Sequence, residues 1–310
     1  MPAFPVRLKH IMGYSTPLPA FLKQSPSPNL DSPKAKFTEI RELEQDRIFA
    51  AAHDETSPWS TRTATAEANE SLNRYCDIKC FDGNRIKLSR RDNDYINASY
   101  IDSGRRRFIA AQGPLEETIS GFWQMVWEQC RHVGLVCMLT KTHEGGRDKC
   151  AQYWPTRVDE KMEFAEYRVM AFQQRRDSKA EATVTMIKLS RGEKAKKVYH
   201  ILFDRWADYA APDDGSLIAL IELVNKVTDE ELENSRPIIH CSAGVGRSGT
   251  FIAMNTLLDR FSAITSEEDG DPIFDTVNEL RSQRLQMVQS LDQYEALYTV
   301  LRNLWKERRG

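Results

Sequence analysis

Apolar and polar positions change rhythm several times along this chain of 310 residues. In "KFTEIRELEQDRIFAAA", Phe37, Ile40, Leu43 and Ile48 recur at roughly helical intervals, which predicts a helix from Phe37 onward. A polar link, "HDETSPWSTRTATAEANES", follows. Short apolar runs bounded by turn residues then take over: "RIKL", "YINASYI", "RFIAAQGP", "LVCMLT", "EFAEYRVMAF", "ATVTMIKLS" and "VYHILFDRW". These predict strands. Helical patterns lie between and after them, at about 117–131, 216–228, 247–263, 272–284 and 290–306. Strands interleaved with helices through one continuous pattern predict a single α/β domain with a mixed sheet, spanning 36–310.

Residues 1–35 read differently. They hold seven prolines and several serines, and they predict a disordered arm. The rest of the composition is that of an ordinary globular chain, with 41% hydrophobic residues, 28% charged residues and a net charge of −2. That balance gives no electrostatic case for nucleic-acid or bulk membrane binding, so any anion preference has to be local. No apolar run approaches the roughly 20 residues of a membrane span. Six cysteines (76, 80, 130, 137, 150 and 241) show neither a CxxC pair nor metal-ligand spacing. Together with the lack of a signal-peptide pattern, they predict free thiols in a cytoplasmic protein and no cysteine-bound metal.

Candidate chemistry concentrates in "RPIIHCSAGVGRSGTF", from Arg236 to Phe251. It reads as an apolar strand, a turn of small residues and the opening of a helix. Such a turn presents unpaired backbone N–H groups and the positive end of the helix dipole. Ser242, Ala243, Gly244, Val245 and Gly246 would crowd their amides around a tetrahedral oxyanion. Arg247 adds a planar fork matched to two phosphate oxygens. Cys241 sits at the mouth of this bowl, where the groups that hold phosphate also stabilise a thiolate. The stretch can therefore bind a phosphate dianion and attack it.

With its strand-before, helix-after context, "HCSAGVGRSGT" resembles the signature loop of the protein-tyrosine phosphatases. Further stretches resemble the same family in the same order: "NRYCDI" (73–78), "DYINASYI" (94–101), "FIAAQGP" (108–114), "KCAQYWP" (149–155), "WADYAAP" (206–212) and "LRSQRLQMVQSLDQY" (280–294). The resemblance runs from about Phe37 to Trp305. It points to the phosphotyrosine-specific, non-receptor type of fungi and other lower eukaryotes. It implies a highly twisted mixed β-sheet flanked by helices, the cysteine-based phosphatase fold.

The resemblance also implies roles. Asp208 would be the leaving-group acid on a movable loop, with Trp206 as its hinge anchor. Ala207 and Ala210 stand where the family usually has proline and glycine, a departure that bears on loop closure. Gln289 and Gln293 would hold the water that hydrolyses the cysteinyl-phosphate, with Asp208 switching to base. Ser248 would hydrogen-bond the sulfur, and His240 would tune the thiolate. Glu144 would orient Arg247, and Lys149 would contact the closing acid loop. Tyr75 would wall a cleft deep enough for phosphotyrosine, and Asp77 would hold the backbone amides of a substrate peptide.

The resemblance implies chemistry with no metal and no organic cofactor, and its implied partners are phosphotyrosine proteins, a mitogen-activated protein kinase among them, met by a monomer in the cytoplasm and nucleus. The competing reading is a weakly active module that captures phosphotyrosine without turning it over.

Overall fold

The computed structural model describes residues 17–23, 32–54, 56–89, 92–206, 214–264 and 270–307. The strands are β1 (Arg85–Lys87), β2 (Tyr95–Asp102), β3 (Arg107–Ala111), β4 (Val133–Met138), β5 (His143–Glu144), β6 (Arg147–Asp148), β7 (Lys161–Phe164), β8 (Tyr167–Asp177), β9 (Ala182–Arg191), β10 (Lys194–Leu202) and β11 (Ile238–His240). Nine of them form one sheet in the order β1-β2-β3-β11-β4-β10-β9-β8-β7, while β5 and β6 make a separate ribbon. The centre, β3-β11-β4-β10, is parallel, and both flanks are antiparallel. A mixed sheet is what the alternating pattern predicts.

The helices are α1 (Pro33–His53), α2 (Arg62–Thr65), α3 (Glu67–Glu70), α4 (Ile119–Gln129), α5 (Asp214–Glu231), α6 (Gly246–Arg260), α7 (Pro272–Gln283) and α8 (Leu291–Glu307). The central strands are apolar on both faces because each face packs against helices. Leu135 and Cys137 of β4, with Ile239 of β11, join the core shared with α1, α5, α6, α7 and α8. Val136 and Met138, with Ile238, turn to the opposite core under α4. Alternation along a strand splits one continuous apolar run between two cores.

The parallel arrangement positions the site. Ala111, His240 and Met138 lie level with one another at the carboxyl ends of β3, β11 and β4, and Leu202 of β10 pairs with Met138. Four chain segments therefore leave the sheet at one edge, the usual place for a ligand in a parallel sheet. They are the turn at 112–114, the ribbon carrying Glu144, the segment ending at Trp206 and the loop after His240.

Three expectations are corrected. The run "EFAEYRVMAF" is two strands, because Ala165 takes φ 52 and turns the chain back between β7 and β8. On α1 the buried residues are Phe37, Ile40 and Glu44, while Ile48 is exposed. A carboxylate, not an isoleucine, completes the inward stripe.

The stretch expected as a disordered arm also contains structure. Ala20–Leu22 forms a 3₁₀ turn with Leu22 fully buried, Leu18 and Phe21 pack beside it, and Arg302 Nε donates to the Leu22 carbonyl at 2.9 Å. Helix α1 starts at Pro33, where Ser32 caps it by accepting from Ala35 N–H. Residues 1–16 and 24–31, with "RLKH" and "SPSP", lie outside the described residues.

Candidate active site

The loop from Cys241 to Gly246 links β11 to α6. Helices α1 and α7 cap their first turns with Ser32 and Asp271, but α6 has no side-chain cap among the described residues. No capping side chain stands between its first turn and the cleft, as an anion site requires. Cys241 Sγ accepts from the Gly244 N–H at 3.3 Å. The carbonyls of the loop point the other way and are gripped. Arg284, fully buried, donates from Nε to the Gly244 carbonyl at 2.9 Å and from Nη2 to the Ala243 carbonyl at 3.1 Å. The Gly113 N–H binds the Ser242 carbonyl at 2.8 Å. With its carbonyls tied back, the loop presents its amides.

Gly244 has φ +73, and a Cβ there would sit 2.1 Å from the Ala111 carbonyl oxygen. Only glycine fits this turn against the end of β3. A Cβ at Gly246 would press on Gln289 and Gln293 at 3.2–3.3 Å.

Arg247 is buried and fixed at three points. Its Nη1 and Nη2 meet Glu144 Oε1 and Oε2 at 2.8 and 3.0 Å, and Nη1 also donates to the Trp206 carbonyl at 2.9 Å. Partial burial pushes the Glu144 carboxyl up. The Arg247 hydrogen bonds, the Lys141 N–H and the Thr140 hydroxyl outweigh it and hold the group below its ordinary range. This is a bidentate carboxylate–guanidinium pair that aims the arginine.

One cleft is lined by Tyr75, Asp77, Ile78, Cys241, Ser242, Ala243, Gly246, Arg247 and Gln289. Tyr75 Oη lies 2.8 Å from Ser242 Oγ, which donates to the Lys149 carbonyl at 2.9 Å. The wall is held by its neighbour. Arg74 Nε and Nη2 donate to the carbonyls of Gly113 and Pro114, and its N–H binds Gln112 Oε1 at 2.9 Å. Asp77 is exposed at the rim.

Other expected residues sit differently. Gln293 does not line the cleft. It is buried in a reciprocal cap of α8, with Gln293 N–H on Ser290 Oγ and Gln293 Oε1 on the Ser290 N–H at 3.3 Å. The same oxygen accepts from Gln289 N–H at 3.1 Å.

Ser248 Oγ is buried and makes no hydrogen bond among the described residues, so the expected bond to sulfur is not formed. His240 Nδ1 meets the Cys241 carbonyl at 3.1 Å, not the sulfur, and its Nε2 lies 2.6 Å from Tyr153 Oη. Burial, the largest cause, drives the His240 ring down to about 4; the Cys241 carbonyl opposes this and Arg74 adds to it. A neutral ring then donates from Nδ1 and accepts the Tyr153 hydroxyl at Nε2. His200 Nε2, also held neutral by burial, shares that hydroxyl at 2.9 Å.

Lys149 is buried beside the loop and supplies the backbone carbonyl that Ser242 uses. Trp206 is buried, and Asp208, with Ala207, Ala210 and Pro212, lies outside the described residues. Arg284, Arg74, Tyr153 and His200 escape sequence reasoning. Arg74, Tyr153 and Arg284 lie inside stretches that resemble the family, but nothing in their spacing marks a role.

The comparisons agree with this geometry. Residues 69–303 match the family described as protein-tyrosine phosphatase. The chain belongs to that family. It is 36% identical over 278 residues to tyrosine-protein phosphatase 2 of Schizosaccharomyces pombe, covering 86% of this chain and 38% of that protein. Against tyrosine-protein phosphatase 1 of the same yeast it is 30% identical, covering 91% and 53%. The Drosophila melanogaster tyrosine-protein phosphatase 69D is 38% identical over 78% of this chain and 17% of its own length. The chain thus spans about half or less of these relatives. A solved structure on the PTPN18 fingerprint on distinct HER2 tyrosine phosphorylation sites shares the fold, with a TM-score of 0.78 at 24% identity over 88% of this chain and 95% of that one.

Proposed function

We propose that the chain hydrolyses phosphotyrosine in proteins through a cysteinyl-phosphate. The observation that carries this reading is the convergence of Cys241 Sγ, the uncapped amides of α6 and the Glu144-oriented Arg247 on one cleft walled by Tyr75. The phosphoryl group sits in the amide bowl, with two oxygens on Arg247. The Cys241 thiolate attacks phosphorus, an S–P bond forms and the P–O bond to the tyrosine ring breaks. Asp208 gives its proton to the departing phenolate oxygen. Asp208 then takes a proton from a water placed by Gln289. That water attacks phosphorus, the S–P bond breaks, and inorganic phosphate and the thiolate are released. The Ser248 hydroxyl, without a hydrogen bond among the described residues, has a donor to offer the sulfur as it leaves. His240 acts through the Cys241 carbonyl, and Gln293 acts by holding Gln289.

Specificity follows from depth, because the Tyr75 wall leaves a phosphoserine ester short of Cys241. We extend the proposal to a mitogen-activated protein kinase as a substrate, on the resemblance alone. All six cysteines are unpaired, which suits the reducing cytoplasm we assign to the protein. No described helix is long and apolar enough to cross a membrane.

Hydrolysis of matched phosphotyrosyl and phosphoseryl peptides tests the reading. The phosphotyrosyl peptide should turn over at least ~10²-fold faster, and Asp208→Ala should lose roughly 10²–10⁴-fold. Tight binding of the phosphotyrosyl peptide by the unaltered chain without phosphate release would establish the binding-module reading instead.

A further inference from the structure

Gln289 reaches the cleft from a turn, 286–290, whose backbone is unfavourable on its own. Gln286 has φ 58 and Val288 has φ 60. A left-handed β-branched residue is an outlier, and such positions persist only where their surroundings over-determine them. Arg281 of α7 supplies part of the restraint. It is buried, donating from Nε to the Met287 carbonyl at 3.0 Å and from Nη2 to the Val288 carbonyl at 2.8 Å.

The rest comes from α1, more than 230 positions away in sequence. Glu44, 4% exposed, accepts Arg281 Nη1 on Oε2 at 3.2 Å and the Gln286 N–H on Oε1 at 2.7 Å. Gln289 Nε2 in turn donates to Gln286 Oε1 at 3.1 Å, and the Val288 N–H binds the Val245 carbonyl of the catalytic loop at 3.1 Å. One buried carboxylate thus fixes both the first residue of the turn and the arginine that holds its middle. A buried ion pair is a poor source of stability compared with apolar packing, so its retention here calls for a geometric reason.

We propose that Glu44 is a positioning residue for Gln289, so that α1 governs the water attack of the second half-reaction. This rests on the cysteinyl-phosphate mechanism above. It concerns only the step after the S–P bond has formed. The first step uses Asp208 together with the loop and Arg247, and Glu44 bonds neither of the latter two among the described residues. Helix α1 keeps other anchors without Glu44. Lys36 pairs with Asp271 at 2.7 Å, Arg47 bonds Asn278, and Phe37 packs on Tyr294 and beneath Arg281.

Rapid-mixing kinetics of the full chain with para-nitrophenyl phosphate separate the steps. Glu44→Gln keeps the shape of the side chain but replaces one acceptor with an NH₂ group that faces a donor. It should keep the phenolate burst and kcat/KM within about twofold. The steady-state kcat and KM should fall together by about tenfold, since a small misplacement of a reacting group is that costly. Glu44→Asp should recover part of kcat. Arg281→Lys, which keeps the buried charge but loses the planar grip, should show the same split. Lys36→Ala, a comparable loss of an α1 contact, should lower Tm without the split. An unchanged kcat in folded Glu44→Gln, or equal losses in kcat and kcat/KM, would overturn the assignment. Absence of turnover in the unaltered chain would instead count against the phosphatase reading.

Discussion

The loop 241–246 and the turn 286–290 meet at one cleft, with the Val288 N–H on the Val245 carbonyl, yet they set their working groups in different ways. The amide face of the loop is set locally, where a strand ends and a helix begins, while Arg284 and the Gly113 N–H tie its carbonyls back from outside. The turn is made from afar. It holds two left-handed non-glycine residues in place with Arg281 from α7 and Glu44 from α1. Local construction suits the half-reaction that needs preformed electrostatics, and remote construction leaves the half-reaction that needs a placed water open to control through α1.

Changes in the loop should therefore damage both half-reactions, and changes around the turn only the second. The largest effect belongs to Gly244→Ala. Its Cβ would meet the Ala111 carbonyl oxygen at 2.1 Å in a left-handed backbone, so stability should fall by more than about 3 kcal/mol. Burst and steady state should disappear together, which denaturant midpoints and single-turnover kinetics will show. Arg284→Met comes next. It leaves the carbonyls of Ala243 and Gly244 without their buried donor, at a cost of about 1–3 kcal/mol. Its burst rate should fall along with kcat. A variant that loses kcat alone would break the proposed division of labour.

The loop side also carries a pH dependence. The folded chain holds His240 neutral down to about 4, whereas the unfolded chain protonates it near 6.5. The unfolded state therefore binds the extra proton first. The contribution is full above about pH 6.5 and is lost as the pH falls toward 4, amounting to about 3 kcal/mol. His200 adds in the same direction. Denaturant titrations from pH 7 to 4 should show the loss, and His240→Asn should flatten it. The smallest effect is expected from Gln293→Ala. It removes one half of the α8 cap, about 1 kcal/mol, and should lower kcat with kcat/KM nearly unchanged.

This contrast also explains what was legible in the sequence. The loop, its nucleophile and its arginine could be read from "HCSAGVGRSGT" because local structure makes them. The mixed sheet could be read because strands alternate with helices through one continuous pattern. Glu44 could not. A glutamate among helical apolar positions looks like an interruption until its partner is placed against it by folding. Arg284 and the Tyr153 hydroxyl shared by His200 and His240 are hidden for the same reason, each serving residues remote in sequence. Gln293 is the opposite case. The resemblance suggests a partner for water, and the fold adds a role as a helix cap that the sequence does not announce. Leu22 shows that composition alone misleads too, since a proline-rich stretch still lends one fully buried side chain to the core.

Every step of the proposed reaction depends on Cys241 attacking phosphorus. Acid quenching of the full chain during turnover of a phosphotyrosyl peptide, followed by mass spectrometry of the fragment containing Cys241, tests it most directly. One phosphoryl group is expected on Cys241 in the unaltered chain, a larger trapped fraction in Glu44→Gln, and none in Cys241→Ser. Continued turnover by Cys241→Ser, or phosphate found on any other residue, would contradict it.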